Sequence, residues 1–280
     1  MSSNIVKFTN VSDQIEDCDF WNPSYISTSA WYDPSDASTI TTATGVSQLD
    51  DKSGNNHHLT QENGAEQPEI GARTLNNLNL IHFNGSNHFM TNYTLDYGSG
   101  SPDIQMIGVI LSDGDGSNVG YYFGYSDGIG GAGGGPGAGQ VFSASDTGSS
   151  ANRYYTGRYF NGYQSTTKAF TAGQAFIVSH AYPAGSTHVQ NEIYIDGTSE
   201  VTTGNNNTGL LNFAGTNNQM CIGKAHALGV NYLEGAIGEI IMFNSILSEE
   251  NRQKLEGYLA WKWGLVSNIP SNHPYKNELP

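Results

Sequence analysis

The sequence predicts an all-β protein, a two-sheet antiparallel sandwich with one C-terminal helix. Three observations predict it. Of the 280 residues 35 are glycine and only 13% are charged, whereas long helices want Glu, Lys, Arg, Ala and Leu. From residue 25 onward, short apolar stretches are bounded by clusters of Gly, Asn, Asp and Ser, the pattern of short strands joined by turns. A convincing helical period occurs once, near the C-terminus.

The elements follow in order. Residues 1–23 carry little periodicity and end in Trp21-Asn22-Pro23, so they are read as an extended arm that attaches the protein to something else. Residues 24–280 are read as one domain, since all-β sandwiches reach about 250 residues undivided. Strands are expected at Ser29–Tyr32, Leu80–Phe83, Ile104–Leu111, Tyr121–Tyr125, Arg153–Phe160, Phe176–Tyr182, Glu192–Ile195, Gln219–Gly223 and Ala236–Phe243. In Ile104–Leu111 both alternating sets are apolar, with Ile104, Met106 and Ile110 on one face and Ile107, Val109 and Leu111 on the other. That marks a central strand covered on both sides. Gly128–Gly139 is too rich in glycine to pack and is read as an exposed loop. The helix is Glu249–Lys262, with Ser248 as N-cap, two glutamates in the first turn and Gly264 as its stop. The proline-containing tail from Asn268 is expected to run extended over the surface.

Charge excludes some functions. Eleven Lys+Arg against 26 Asp+Glu leave a net charge of −15. Nucleic acid and anionic membrane surfaces want clustered cations, and there are none, so neither is expected as a partner. No apolar run reaches the ~18 residues of a membrane-spanning helix. The N-terminus has no apolar core of a secretory signal, so synthesis in a cytoplasm is expected. Cys18 and Cys221 form neither a disulfide framework nor a zinc knuckle and read as free thiols.

Two groups of motifs carry a family resemblance. One is Ser29-Ala30-Trp31-Tyr32-Asp33-Pro34, followed by Leu49-Asp50-Asp51-Lys52-Ser53-Gly54-Asn55 and Ile81-His82-Phe83-Asn84-Gly85. The other is Gly238-Glu239-Ile240-Ile241-Met242-Phe243, then Gly257-Tyr258-Leu259-Ala260-Trp261-Lys262-Trp263-Gly264 and His273-Pro274-Tyr275. Together they resemble the concanavalin A-like lectin/glucanase superfamily in its laminin-G-like form, as found in phage structural and bacterial extracellular proteins. The resemblance covers about residues 24–280 and implies a jelly-roll sandwich. Leu49 stands where such sequences often carry Trp.

The resemblance also implies a calcium near the Asp50–Asn56 turn. Calcium takes six to eight oxygens, and the candidate ligands are Asp51, Asn55 and Glu239. The other reading is an Asx-type turn, with Glu239 bonded to backbone amides or to Lys/Arg. A carboxylate in an apolar strand must be paired one way or another. Ser112–Asn118 is a second oxygen-rich loop, without the spacing of an EF-hand. The nearest thing to a glycosidase pair is Glu192 and Asp196, whose Cα atoms regular strand geometry sets about 13 Å apart. A retaining pair needs carboxyls about 5–5.5 Å apart, so no catalytic residue is assigned and the chain is expected not to be an enzyme.

Tyrosines are the remaining signal. Tyr121, Tyr125, Tyr155 and Tyr159 lie in the Gly- and Asn-rich middle of the chain with Tyr122 and Tyr154. They either stack on a glycan or partner, or fill the core. The expected function is a phage virion structural protein: a capsid decoration, head-fibre or tail-fibre component on the virion surface. It would meet other virion proteins through residues 1–23, with a homo-oligomer compatible. The alternative is a free or cell-surface carbohydrate-binding module or adhesin, and a glycosidase comes third.

Overall fold

The computed structural model describes residues 21–97, 101–113, 120–126, 140–143, 152–158, 162–187, 190–204, 219–224 and 232–280. In chain order its strands are β1 (Ala30–Tyr32), β2 (Ile40–Thr42), β3 (Val46–Leu49), β4 (Leu59–Thr60), β5 (Glu69–Leu75), β6 (Leu78–Asn84), β7 (Met90–Asn92), β8 (Ile104–Ser112) and β9 (Tyr121–Ser126). They continue as β10 (Gln140–Ser143), β11 (Asn152–Arg158), β12 (Gly162–Phe170), β13 (Gln174–Tyr182), β14 (Glu192–Ile195), β15 (Thr198–Ser199), β16 (Thr202–Gly204), β17 (Gln219–Ile222) and β18 (Glu234–Phe243). The one α-helix among the described residues, α1, is Glu249–Lys262.

The strands make two antiparallel sheets. The first runs β15-β14-β13-β8-β18-β6-β5, with β1 also paired to β18; the second runs β16-β12-β11-β10-β9-β17-β7-β4-β3-β2. The two-sheet sandwich with one C-terminal helix is therefore present. Most of residues 1–23, the Gly128–Gly139 loop, Cys18 and Tyr159 lie outside the described residues.

Side-chain alternation explains where the cores lie. On β8, Ile104, Met106 and Ile110 enter the core between the sheets, beside Phe83, Phe123 and Phe176. Ile107, Val109 and Leu111 point the other way, into a second core under α1 with Leu255, Leu259 and Trp263. These are the two faces read from the sequence. Burying each such side chain contributes about 1.5–3 kcal/mol. The helix begins at Ser248, whose hydroxyl accepts the Asn251 N–H at 3.3 Å, and ends before Gly264, whose φ of +72° suits glycine.

One strand departs from simple alternation, and one local reading changes. On β18, Ile237 enters the inter-sheet core while Ile241 and Phe243 face the helix. A register shift against β8 between Ile237 and Ile240 splits the set that simple alternation joins. The tail is not extended. It folds back in turns, with Ile269 and His273 buried. The Lys276 ammonium donates to the carbonyls of Val266, Ser267 and Ile269 at 2.6, 3.3 and 2.7 Å. The Trp261 indole donates to the Tyr275 carbonyl at 2.9 Å.

Candidate functional site

The motifs that stand apart in the sequence converge on one buried carboxylate. The bulge on β18 turns Glu239 toward the helix, where it is fully buried. Its Oε1 accepts the Trp31 indole N–H at 2.6 Å and the Tyr258 hydroxyl at 3.1 Å. Its Oε2 accepts the Lys262 ammonium at 2.7 Å and the Trp263 indole at 3.3 Å. Lys262 also reaches Asp33 at 2.8 Å, and Asp33 meets Lys52 at 3.2 Å, which pairs with Asp36 at 2.7 Å. Burial pushes the Glu239 carboxyl above its usual range despite Lys262. Burial acts on Asp33 too, but Lys262, Ser35 and Lys52 together hold it below the usual range.

This cluster does not suit calcium. Each oxygen of Glu239 faces N–H or O–H donors, and an ammonium already sits beside it. Asp51 is likewise occupied: Oδ1 accepts the backbone N–H groups of Trp31 and Ser53, each at 2.8 Å. Its Oδ2 accepts the Ser53 hydroxyl at 2.7 Å and the His57 N–H at 3.0 Å. Asn55 donates its amide to the Thr28 and Ser29 carbonyls at 3.0 and 3.2 Å. A calcium ion needs lone pairs aimed at one point, and those of Glu239 and Asp51 are aimed at donors in the fold. Among the described residues no three His, Cys, Asp or Glu side chains gather as a metal cluster.

The carboxylates of Glu192 and Asp196 do not meet as a pair either. Glu192 is exposed, while Asp196 is buried at a left-handed turn with φ of 51°. It accepts the Ile177 N–H at 2.9 Å and the Lys168 ammonium at 2.8 Å. Cys221 is a buried strand thiol, pushed up to about 12 by burial.

The tyrosines divide. Tyr122 and Tyr154 lie fully buried between the sheets, where Tyr154 shares a hydrogen bond with His180 at 3.1 Å. Tyr121 and Tyr125 lie on β9 and Tyr155 on β11, and the backbone of Ser143 on β10 is in register with both Tyr121 and Tyr155. The fold thus brings three of the four candidates onto neighbouring strands.

A different place has the character of a binding site. A groove of about 500 Å³ opens where segments 24–29, 52–57 and 95–97 meet Trp31 and Asn244. That is within the ~300–1,000 Å³ of ordinary ligand pockets. It lies where β1 begins and β18 ends, with Ser29 N–H bonded to the Met242 carbonyl at 2.8 Å. The Asp51 turn supplies Asn55 and His57, and the loop after β7 supplies Leu95 to Tyr97. The His57 ring joins the two through Thr94 at 2.9 Å. Tyr25 lines the groove and is 57% exposed. Among the described residues, Asn55 Oδ1, His57 Nε2 and the Asn244 amide make no hydrogen bond within the fold, so they are available to a ligand. Sequence reasoning reached Asn55 but missed Tyr25, His57 and Asn244. The one available signal was the nearness of a strand-opening motif to an Asx-rich turn.

No family model matches the chain, and no curated protein is similar to it in sequence. Solved structures are similar in fold. Domain 4 of the extracellular arabinanase of Geobacillus stearothermophilus, solved with arabinotriose, superposes with a TM-score of 0.54 at 12% identity, over 82% of this chain and 98% of that domain. The sialidase of Trypanosoma rangeli with 2,3-difluorosialic acid gives 0.53 at 11% identity, over 83% of this chain and 32% of the sialidase. An arabinofuranosidase complexed with arabinofuranosyl-α-1,2-xylobiose gives 0.50 at 14% identity, over 75% of this chain and 49% of that one. The likeness is one of fold. The chain thus spans an arabinanase domain almost whole, but about a third of the sialidase and half of the arabinofuranosidase.

Two expectations are corrected here. The fold is carried by carbohydrate-active enzymes, which overturns the reading as a phage virion structural protein. That reading leaned on fold-level resemblance, and a fold hosts many functions. The same finding runs against the expectation that the chain is not an enzyme, which rested on the missing carboxylate pair.

Proposed function

We propose that this chain is a carbohydrate-binding β-sandwich of the concanavalin A-like, laminin-G-like kind, and that it takes a short glycan in the groove beside Tyr25. One observation carries the reading: a groove of ligand size holds an exposed aromatic ring next to polar groups that the fold leaves unused. A sugar ring offers an apolar face to stack on an aromatic and hydroxyls around its rim. Tyr25 supplies the face, and Asn55, His57 and Asn244 supply donors and acceptors. The arabinanase domain that this chain matches nearly end to end was solved with arabinotriose, which makes arabino-oligosaccharides the first probe.

Calorimetric titration with arabinotriose and with arabinan tests it. Binding is expected, and Tyr25→Ala is expected to weaken it about tenfold, the scale of one lost stacking contact. No heat with either ligand would overturn the reading, as would full affinity in Tyr25→Ala. Assaying the same mixtures for new reducing ends separates binding from turnover, and their release would replace the module with a glycosidase.

A further inference from the structure

Among the side chains that the structure describes, two aromatic ones are largely exposed, Tyr25 at 57% and Tyr93 at 61%. A scattered exposed aromatic is unremarkable. These two are not scattered. Tyr25 lines the groove, and Tyr93 stands two residues before Leu95, which also lines it. Chain geometry keeps the Cα atoms of Tyr93 and Leu95 within about 7 Å of each other.

Both rings also ride on fixed backbone. Asn22 holds the turn of Tyr25, accepting the Ser24 N–H through its side chain at 3.0 Å and the Tyr25 N–H through its carbonyl at 3.1 Å. Asn92 holds the turn of Tyr93, accepting the Thr94 and Leu95 N–H groups at 2.9 and 2.6 Å and donating to the His58 carbonyl at 2.7 Å. A ring on a pre-set turn gives up little freedom when a ligand settles on it.

Charge limits what that ligand can be. Lys52, the lysine that lines the groove, is already paired with Asp33 and Asp36. The whole chain carries −15. Among the described residues lining the groove, a carboxylated sugar would find no unpaired ammonium or guanidinium to answer its charge.

We infer that the groove is one part of a longer site, in which Tyr93 is a second stacking platform outside it and the ligand is a neutral oligosaccharide long enough to lie on both rings. The inference rests on the glycan-binding reading of the groove and adds a chain-length requirement and a charge class to it.

The test is calorimetric titration of the full chain with the arabino-oligosaccharide series from arabinobiose to arabinohexaose, on wild type, Tyr25→Ala, Tyr93→Ala and Tyr93→Phe. Wild-type affinity is expected to rise with length. Tyr93→Ala should flatten that rise, losing about tenfold for the hexaose and less than about twofold for the biose. Tyr93→Phe, which keeps the ring, should restore it, and Tyr25→Ala should weaken every length. Unchanged melting temperatures would show that the variants are folded. If Tyr93→Ala matches wild type at every length while Tyr25→Ala is weakened, the second platform is overturned and the groove reading stands. If wild type binds no member of the series, both are overturned. Binding of sialyllactose as tight as that of the hexaose would overturn the neutral-ligand class.

Discussion

Trp31 borders two polar neighbourhoods with opposite character. On one side its indole N–H meets Glu239, in a buried cluster where each carboxylate oxygen already has donors. On the other it lines a groove where Asn55, His57 and Asn244 keep polar atoms free among the described residues. Both contain the residue types that sequence reasoning associates with function. Saturation distinguishes them. Polar groups that complete each other's hydrogen bonds in the dry interior hold the fold together. Polar groups left open toward solvent beside an exposed ring are available to a ligand. The signature motifs of the sequence therefore mark the joint between helix and sheet, and the proposed binding surface lies beside it.

The largest effect expected from this contrast is in the cluster. Glu239→Ala would leave two indole N–H groups without their acceptor and Lys262 with Asp33 as its remaining carboxylate. Removing one partner from a buried ion pair costs about 3–5 kcal/mol, so the midpoint of denaturant unfolding should fall steeply. Glu239→Gln keeps one carbonyl acceptor and should cost less. Equal loss in both would show that charge, not acceptor geometry, is what the cluster needs.

Next in size is the clasp between helix and tail. A Cβ on Gly257 would stand 2.5 Å from the Cβ of Tyr275. Gly257→Ala should therefore cost about 1–3 kcal/mol and expose the last residues to limited proteolysis. A variant as protease-resistant as wild type would mean that the tail yields without leaving the helix.

Tyr25→Ala is the mirror of Glu239→Ala. It should change stability by no more than about 0.5 kcal/mol, as exposed positions do, while glycan affinity falls. A large stability loss would blur the distinction between the two neighbourhoods.

The smallest effect concerns acid. Lys52 and Ser38 hold the Asp36 carboxyl down to about 2, and Asp33 also lies below its usual range. Stability from these lowered groups is present above the unfolded value of about 3.9 and is lost as pH falls through the folded values. The melting temperature should therefore drop between about pH 4 and pH 2. Glu239, held above its usual range, works the other way, and its share declines as pH rises past its unfolded value. Asp36→Asn should remove part of the acid drop. The Asp36–Lys52 pair is partly exposed, so that part should be under about 1 kcal/mol. An unchanged acid limb would show that Asp36 contributes nothing.

Much of the fold was legible because it follows a period. Both faces of β8 and the caps of α1 could be read residue by residue. Strands β5 and β12 could not, because Glu69–Leu75 and Gly162–Phe170 show no clean alternation of apolar and polar residues. Glu239 was legible as a carboxylate needing partners, but its direction depends on a one-residue bulge that no pattern announces. Tyr122 and Tyr154 look in sequence like their neighbours Tyr121 and Tyr155, and only packing sends them into the core. The groove was least legible of all. It is assembled from segments near residues 25, 55, 96 and 244, which the fold brings together and no local spacing links.

The most direct measurement is a titration of backbone amide chemical shifts with arabinotriose. The account predicts saturable shifts at residues 24–29, 53–57 and 93–97, with strands β9 to β11 unmoved. Shifts confined to the strands of Tyr121 and Tyr155, or none anywhere at millimolar ligand, would contradict it.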